Sequence, residues 1–225
     1  EIKGLDWIRL MYFYPMYIDD NLLEVIARSE KILPYIDMPL QHAEDVMLKR
    51  MSRRVTADLA EKQIRRMREL IPDLVLRTTF ITGFPGETEA QFQELIDFTQ
   101  RHHFERMGVF TYSHEPDTPA ARMDGHLSEE IKEDRRSRLM AVQQQIMFEY
   151  NESCIGKTMD VIIDQPVSDQ PGAWIGRSFG DAPDVDAVVF VTQADTELFA
   201  GALVPCEIVT FQNYDLIAVA VGEPR

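Results

Sequence analysis

An α/β unit with a parallel sheet, followed by a small all-β barrel, is the fold class this sequence predicts. Two observations carry it. Strand and helix signals alternate over residues 1–152, and from Gly156 onward five short strand signals follow with no helix between them. Alternation at this length implies βαβ crossovers and hence parallel strands. Short strands punctuated by Pro, Gly, Asp and Asn imply a small barrel of OB type.

The elements can be justified in order. "WIRLMYFYP" (Trp7 to Pro15) reads as a strand, and Asp19-Asp20 are cap candidates for the helical "NLLEVIARSE". "YIDMPLQH" (Tyr35 to His42) reads as a short buried strand that ends in polar residues. A long helical stretch follows, with Thr56 as N-cap of "ADLAEKQIRRMREL". "LVLRTTFITGF" is the next strand, and Thr88 with Gln91 three residues on makes a capping box for "EAQFQELIDFTQRH". "RMGVFTYS" (Arg106 to Ser113) is a fourth strand, after which Ser128 caps a long helix reaching Glu152. Four strands are too few to close a (β/α) barrel, so they fit the later part of one whose first strands lie upstream. "KTMDVIIDQ", "AWIGRS", "AVVFVTQ", "PCEIVTFQ" and "YDLIAVAVG" supply the β-module. The expected boundary lies near Ser153, giving domains 1–152 and 153–225.

Bulk properties narrow the function. At 225 residues with 45% hydrophobic content, the chain has the composition of a globular protein, without an apolar run of membrane length or a signal-peptide pattern. Cys154 and Cys206 are isolated and the five histidines have no zinc spacing, so a reducing cytoplasm is the default and a metal site made by this chain alone is not expected. The chain opens on Glu1 and runs directly into a strand, the expectation for a piece whose N-terminal part is missing. The formal charge is −15, and from Asn151 onward twelve acids face three bases, a balance of −9. Such a module repels phosphate and attracts basic proteins, although acidity also serves plain solubility.

The richest stretch is "LRTTFITGFPGET", Leu76 to Thr88. Gly83, Phe84, Pro85 and Gly86 make a tight strand-to-helix turn without the Lys-Ser/Thr of a P-loop or the G-x-G-x-x-G of a dinucleotide site. Such a turn is either punctuation or a place where backbone approaches a ligand, since strand C-terminal ends form the ligand face of parallel sheets. Gln41-His42, Gly83 to Glu87 and Tyr112-Ser113 all fall at that expected face. Arg77 lies inside the strand, where burial demands a partner: a resident acid such as Asp37, or an acidic ligand.

In order along the chain, "YIDMPLQH", "RTTFITGFPGET", "GVFTYSHEPDTPAA" and "GRSFGDAPDVDAVVFV" resemble the radical S-adenosylmethionine methylthiotransferases, over essentially the whole sequence. The resemblance is nearest to the branch that modifies an aspartate of small-subunit ribosomal protein S-twelve. It implies the later strands of an open, partial TIM-like radical-SAM barrel followed by a TRAM domain. It also implies S-adenosylmethionine as cofactor and two 4Fe–4S clusters in the whole protein. The family holds one cluster on a Cys-x-x-x-Cys-x-x-Cys loop after the first barrel strand and another on an N-terminal domain. This sequence has neither motif, so cluster ligands are expected upstream and the piece alone is expected to be inactive. By the family's chemistry, S-adenosylmethionine yields a 5′-deoxyadenosyl radical that abstracts hydrogen from an unactivated carbon.

The resemblance thus makes Gly83, Phe84, Pro85, Gly86, Glu87, Tyr112 and Ser113 candidates for cofactor binding. Gln41, His42 and Arg77 become candidates for substrate binding. The tRNA-modifying branch shares the glycine turn but differs where this chain has Gln41-His42 and Arg77-Thr78-Thr79. A cation facing the cavity suits an aspartate carboxylate, and an acidic TRAM module suits a basic ribosomal protein better than tRNA. A tRNA-adenosine methylthiotransferase and a non-catalytic scaffold remain the alternatives. The expected oligomeric state is monomeric.

Overall fold

The computed structural model describes residues 2–192 and 197–225. Gln193, the last residue of the expected strand "AVVFVTQ", lies outside them. Internal contacts divide the chain into Glu1–Ile146 and Met147–Arg225.

The first unit is built on a four-stranded sheet in the order β1-β2-β3-β4. The strands are β1 (Ile8–Leu10), β2 (Ile32–Asp37), β3 (Val75–Thr82) and β4 (Arg106–Thr111), and every pairing is parallel. Helices α1 (Asp20–Arg28), α3 (Ala57–Leu70) and α4 (Glu89–His102) make the crossovers, as the alternating pattern requires. Asp19 and Thr56 cap α1 and α3 through their side chains, and Thr88 with Gln91 forms the capping box of α4. One short helix, α2 (Asp45–Arg50), was not separated from the helical stretch by sequence reading. Its N-cap is Glu44, whose carboxylate accepts the N–H groups of Val46 and Met47, a less common capping side chain than Ser, Thr, Asn or Asp.

β1 is much shorter than the run Trp7 to Pro15 suggested. The backbone turns left-handed at Tyr12 (φ 62°), and Pro15–Tyr17 forms a 3₁₀ turn, so apolar content alone misjudged the strand's end. Even so, the N–H of Phe13 reaches the Asp37 carbonyl at 2.8 Å.

The sheet has two chemically different faces. Ile36, Leu76, Phe80 and Val109 join Ile64, Phe92, Phe98 and Leu139 in the buried helix-facing core. Phe80, Phe98 and Phe104 meet there with ring centroids 5.9–6.4 Å apart. Alternation along a strand then sends Tyr35, Asp37, Arg77, Thr79, Arg106 and Gly108 to the opposite, inner face.

The second unit opens with the last residues of α5 (Glu129–Cys154) and closes a five-stranded barrel in the order β5-β6-β7-β9-β8. Its strands are β5 (Thr158–Pro166), β6 (Ala173–Ser178), β7 (Val189–Thr192), β8 (Leu203–Gln212) and β9 (Asp215–Ala220). The β7–β9 pairing is parallel and all others are antiparallel. Alternate residues Val161, Ile163, Val189, Val191, Val204, Cys206, Ile208 and Ala218 fill the interior, joined by Cys154 from the end of α5. No described helix is long and apolar enough to cross a membrane.

Candidate functional site

Apart from Arg77, which lies within β3, the candidate residues gather at the C-terminal ends of β2, β3 and β4, and together they do three different jobs. After β2 the chain continues alongside β3: Gln41 donates its N–H to the Thr79 carbonyl and accepts from the Ile81 N–H, at 2.8 and 2.9 Å. This isolated bridge, with Gln41 at φ 72°, carries His42 toward the turn after β3.

Glu87 is the hub of that turn. Its side chain is fully buried, and one oxygen accepts the N–H of Gly83 at 2.8 Å and Arg135 Nη1 at 2.5 Å. The other oxygen takes His42 Nε2 at 3.1 Å. Because the Glu44 N–H donates to His42 Nδ1 at 3.0 Å, that nitrogen carries no proton, and Nε2–H donates to Glu87. Arg135 also donates to the Glu87 carbonyl at 3.0 Å and to Glu89 at 3.3 Å. The loop after β2, the turn after β3 and α5 are thus tied together by one buried carboxylate. Buried ionic groups need this degree of satisfaction. His42 and Glu87 are fully engaged with protein and act here as braces of the turn.

The turn glycines serve packing as well. Gly83 has φ +72°, and a Cβ built on it would lie 2.3 Å from Cγ of Lys132 and 3.3 Å from its Cα. Its missing side chain is what lets α5 pass so close. Lys132 is itself buried; its Nζ donates to the Tyr112 carbonyl at 3.0 Å and pairs with Glu129 at 2.7 Å. Arg50 of α2 binds the Pro85 carbonyl at 3.1 Å, and the Gly86 N–H donates to the Gly125 carbonyl at 2.8 Å.

Phe84 and Tyr112 form a small apolar cluster with Met47, flanked by Met51, Ile81 and Met123. The two rings meet edge-on with centroids 5.2 Å apart. The Tyr112 hydroxyl is buried and has no hydrogen-bond partner among the described residues. An unpartnered buried hydroxyl in a soft, methionine-rich cluster suits a ligand with an apolar body and a polar group to share. Ser113 is exposed and donates to Glu115 at 3.2 Å.

Arg77 lies on the inner face, where its Nη1 donates to Asp37 Oδ1 at 3.0 Å and to Thr79 Oγ1 at 3.4 Å. The resident acid considered from sequence is thus present, as its direct register partner. The second Asp37 oxygen takes the Tyr12 N–H at 3.2 Å.

Sequence reasoning missed Lys132, Arg135 and Arg50 as supports of the turn. Lys132 and Arg135 are three apart on α5, one face of a helix so rich in charge that no periodicity marks them as buried.

Cys154 and Cys206 are free and buried in the barrel interior. Burial, with the Asp160 charge nearby, pushes the Cys206 thiol up to about 12, far from the thiolate a cluster requires. Among the described residues no group of three or more His, Cys, Asp or Glu could hold a metal ion. The described residues do not fit a 4Fe–4S cluster. The orphaned Tyr112 hydroxyl and its methionine-lined surround do fit an organic cofactor.

Residues 1–99 match the family model of the Radical SAM superfamily, and residues 155–221 match that of the TRAM domain. Curated proteins named ribosomal protein uS12 methylthiotransferase RimO are similar along nearly the whole chain. The one from Desulfitobacterium hafniense (strain Y51) is 44% identical over 98% of this chain and 49% of its own length. The one from Clostridioides difficile (strain 630) is 44% identical over 99% of this chain and 50% of its own. The chain spans about half the length of the curated relatives it matches. Among solved structures, the radical SAM enzyme coproporphyrinogen III oxidase (HemN) from Escherichia coli is similar in fold to part of this chain. Its TM-score is 0.53 at 20% identity, covering 62% of this chain and 32% of that one.

Proposed function

From the premise that this chain belongs to the radical SAM methylthiotransferase family, we propose that it serves an enzyme adding a methylthio group to the β-carbon of an aspartate in ribosomal protein uS12. The observation that carries this reading is 44% identity, along 98% of the chain, to a protein named for that activity. Residues 1–152 contribute the cofactor and substrate side of a radical-SAM barrel, and residues 153–225 a TRAM module. In this reading the cluster ligands come from outside the chain.

When bound, S-adenosylmethionine and its cluster supply the radical and methyl chemistry; this chain positions and shields. Tyr112 offers its unpartnered hydroxyl and, with Phe84 and the three neighbouring methionines, an apolar wall that excludes water. Gln41 and Ser113 flank that cluster at the strand ends, and the half-buried Gln41 amide is available to a substrate backbone. His42, Glu87, Gly83, Pro85 and Gly86 hold the turn that sets this wall in place. Arg77, steadied by Asp37 on the inner face of the sheet, faces the target carboxylate. The acidic TRAM module receives the basic ribosomal protein.

The test is mass spectrometry of uS12 and of total tRNA from cells carrying only the full-length parent of this chain. A methylthio adduct on a uS12 aspartate is expected. An adduct on tRNA adenosine with unmodified uS12 would replace this reading with that of the tRNA branch.

A further inference from the structure

Two segments of the sheet unit put cations beside exposed aromatic rings. Residues 46–55 carry Lys49, Arg50, Arg53 and Arg54 and no acid, in a chain whose balance is −15. Residues 12–18, the turn after β1, carry no charge and three tyrosines, Tyr12, Tyr14 and Tyr17. Packing joins the two segments. The Arg53 guanidinium lies 5.1 Å from the Tyr14 ring centroid, and the Arg54 N–H donates to the Tyr14 hydroxyl at 2.9 Å. The rings of Tyr14 and Tyr17 meet with centroids 5.9 Å apart. Gln63 of α3 fixes the turn by donating to the Pro15 and Ile18 carbonyls, at 3.4 and 2.9 Å. Arg53 Nη2 donates to the Pro39 carbonyl at 2.6 Å, shortly before Gln41, so the assembly stands at the same end of the sheet as the candidate site.

The fold does not use up these groups. Tyr12 and Tyr17 are 79% and 77% exposed. Tyr12 holds a left-handed backbone, φ 62°, a strained conformation for a bulky side chain. The Asp37 carboxylate keeps it there by accepting the Tyr12 N–H, leaving the ring in solvent. Strain at a residue that packs so little points to a use outside the fold. Lys49 and Arg54 are exposed, with no carboxylate partner among the described residues. Arg53 is half-buried against a ring and a carbonyl, and its Nε has no hydrogen-bond partner among the described residues.

Exposed rings interleaved with such cations match single-stranded nucleic acid, whose bases stack on aromatic faces while its phosphates meet the cations. An acidic peptide would leave the rings idle, and a basic one would be repelled by the cations. We infer that residues 12–17 and 49–54 form a binding surface for single-stranded RNA, with Tyr12 and Tyr17 stacking bases and Lys49, Arg53 and Arg54 holding phosphates. This deepens the proposed function and rests on that reading for the origin of the RNA: an enzyme acting on a ribosomal protein meets the RNA that protein binds.

The experiment titrates short labelled oligouridylate and oligoadenylate with this chain and with its full-length parent, read by fluorescence anisotropy. Both proteins should bind saturably, and more weakly as salt rises from roughly 50 to 200 mM. Tyr17→Ala and Tyr12→Asn should each weaken binding about fivefold or more, the range for losing one stacked base. Asparagine is chosen at Tyr12 because it tolerates the left-handed backbone. Arg54→Gln should lower the log–log salt slope by about one. Circular dichroism checks the fold of each variant. Absence of saturable binding, or undiminished affinity in both tyrosine variants, overturns the surface. Binding by this chain but not by the parent also overturns it, because an upstream segment then covers the face. Equal affinity for oligoglutamate replaces RNA with an acidic protein partner. The uS12 adduct assay separates the two readings. A uS12 adduct without RNA binding removes the surface and leaves the function. RNA binding with an adduct on tRNA alone removes the function and leaves the surface.

Discussion

Glu87 illustrates how a residue in a recognisable motif can serve the fold. With both oxygens engaged by His42, Arg135 and the Gly83 N–H, its truncation strands a buried cation. Glu87→Ala should cost about 3–5 kcal/mol in urea unfolding, the range for breaking a buried ion pair from one side, whether or not cofactor is present. A variant with wild-type stability and lost cofactor binding would instead return Glu87 to the ligand side. His102 gives a pH signature. It packs against Phe98 with ring centroids 4.3 Å apart, and burial lowers its pKa from 6.5 more than Glu61 raises it. The unfolded chain therefore binds a proton there that the folded chain resists, so this contribution to stability falls as pH drops through about 6.5. His102→Gln should flatten the stability profile between roughly pH 7.5 and 5.5; an unchanged slope would show that other groups set it. Cys206, pushed up to about 12, should resist iodoacetamide in the native protein at pH 8 and react only on unfolding.

At the scale of elements, the turn after β3 and the N-terminal half of α5 form one assembly. Gly83→Ala meets two penalties, a φ of +72° and a Cβ 2.3 Å from Lys132 Cγ, with the helix backbone close behind. A loss of about 2–4 kcal/mol by chemical denaturation is expected, against under 1 kcal/mol for an unstrained glycine replacement. Elements with local signals were legible in advance. Asp19, Thr56 and Thr88 cap the helices they were expected to cap, and the five barrel strands lie where alternating apolar residues are broken by turn residues. The end of β1 was not legible, because the left-handed residue Tyr12 falls inside an apolar run. Nor were the supports of the site. Lys132 and Arg135 are distant in sequence from the turn they hold, and only tertiary packing reveals that a charged helix face is buried. Arg77 was legible as an anomaly, and Asp37 as one possible answer to it. The sharing of that face with Arg106 required the register of two strand pairings.

At the scale of the molecule, charge is distributed by module. Two of the barrel's three cations are paired: Arg177 holds Asp164 through two 2.8 Å hydrogen bonds, which raise its pKa, and Arg225 pairs with Asp160 at 2.7 Å. A basic partner should bind the full chain with a Kd that rises several-fold between roughly 50 and 200 mM salt. An affinity indifferent to salt would count against electrostatic docking. Closure of the barrel has a consequence for how any partner can be recognised. Among the described residues each of its five strands already has a neighbour on either side, so the closed barrel offers no open edge strand for a visiting strand to extend the sheet. Partner choice by this module must be written in side chains, where a few substitutions of surface acids can rewrite it without disturbing a single ladder hydrogen bond.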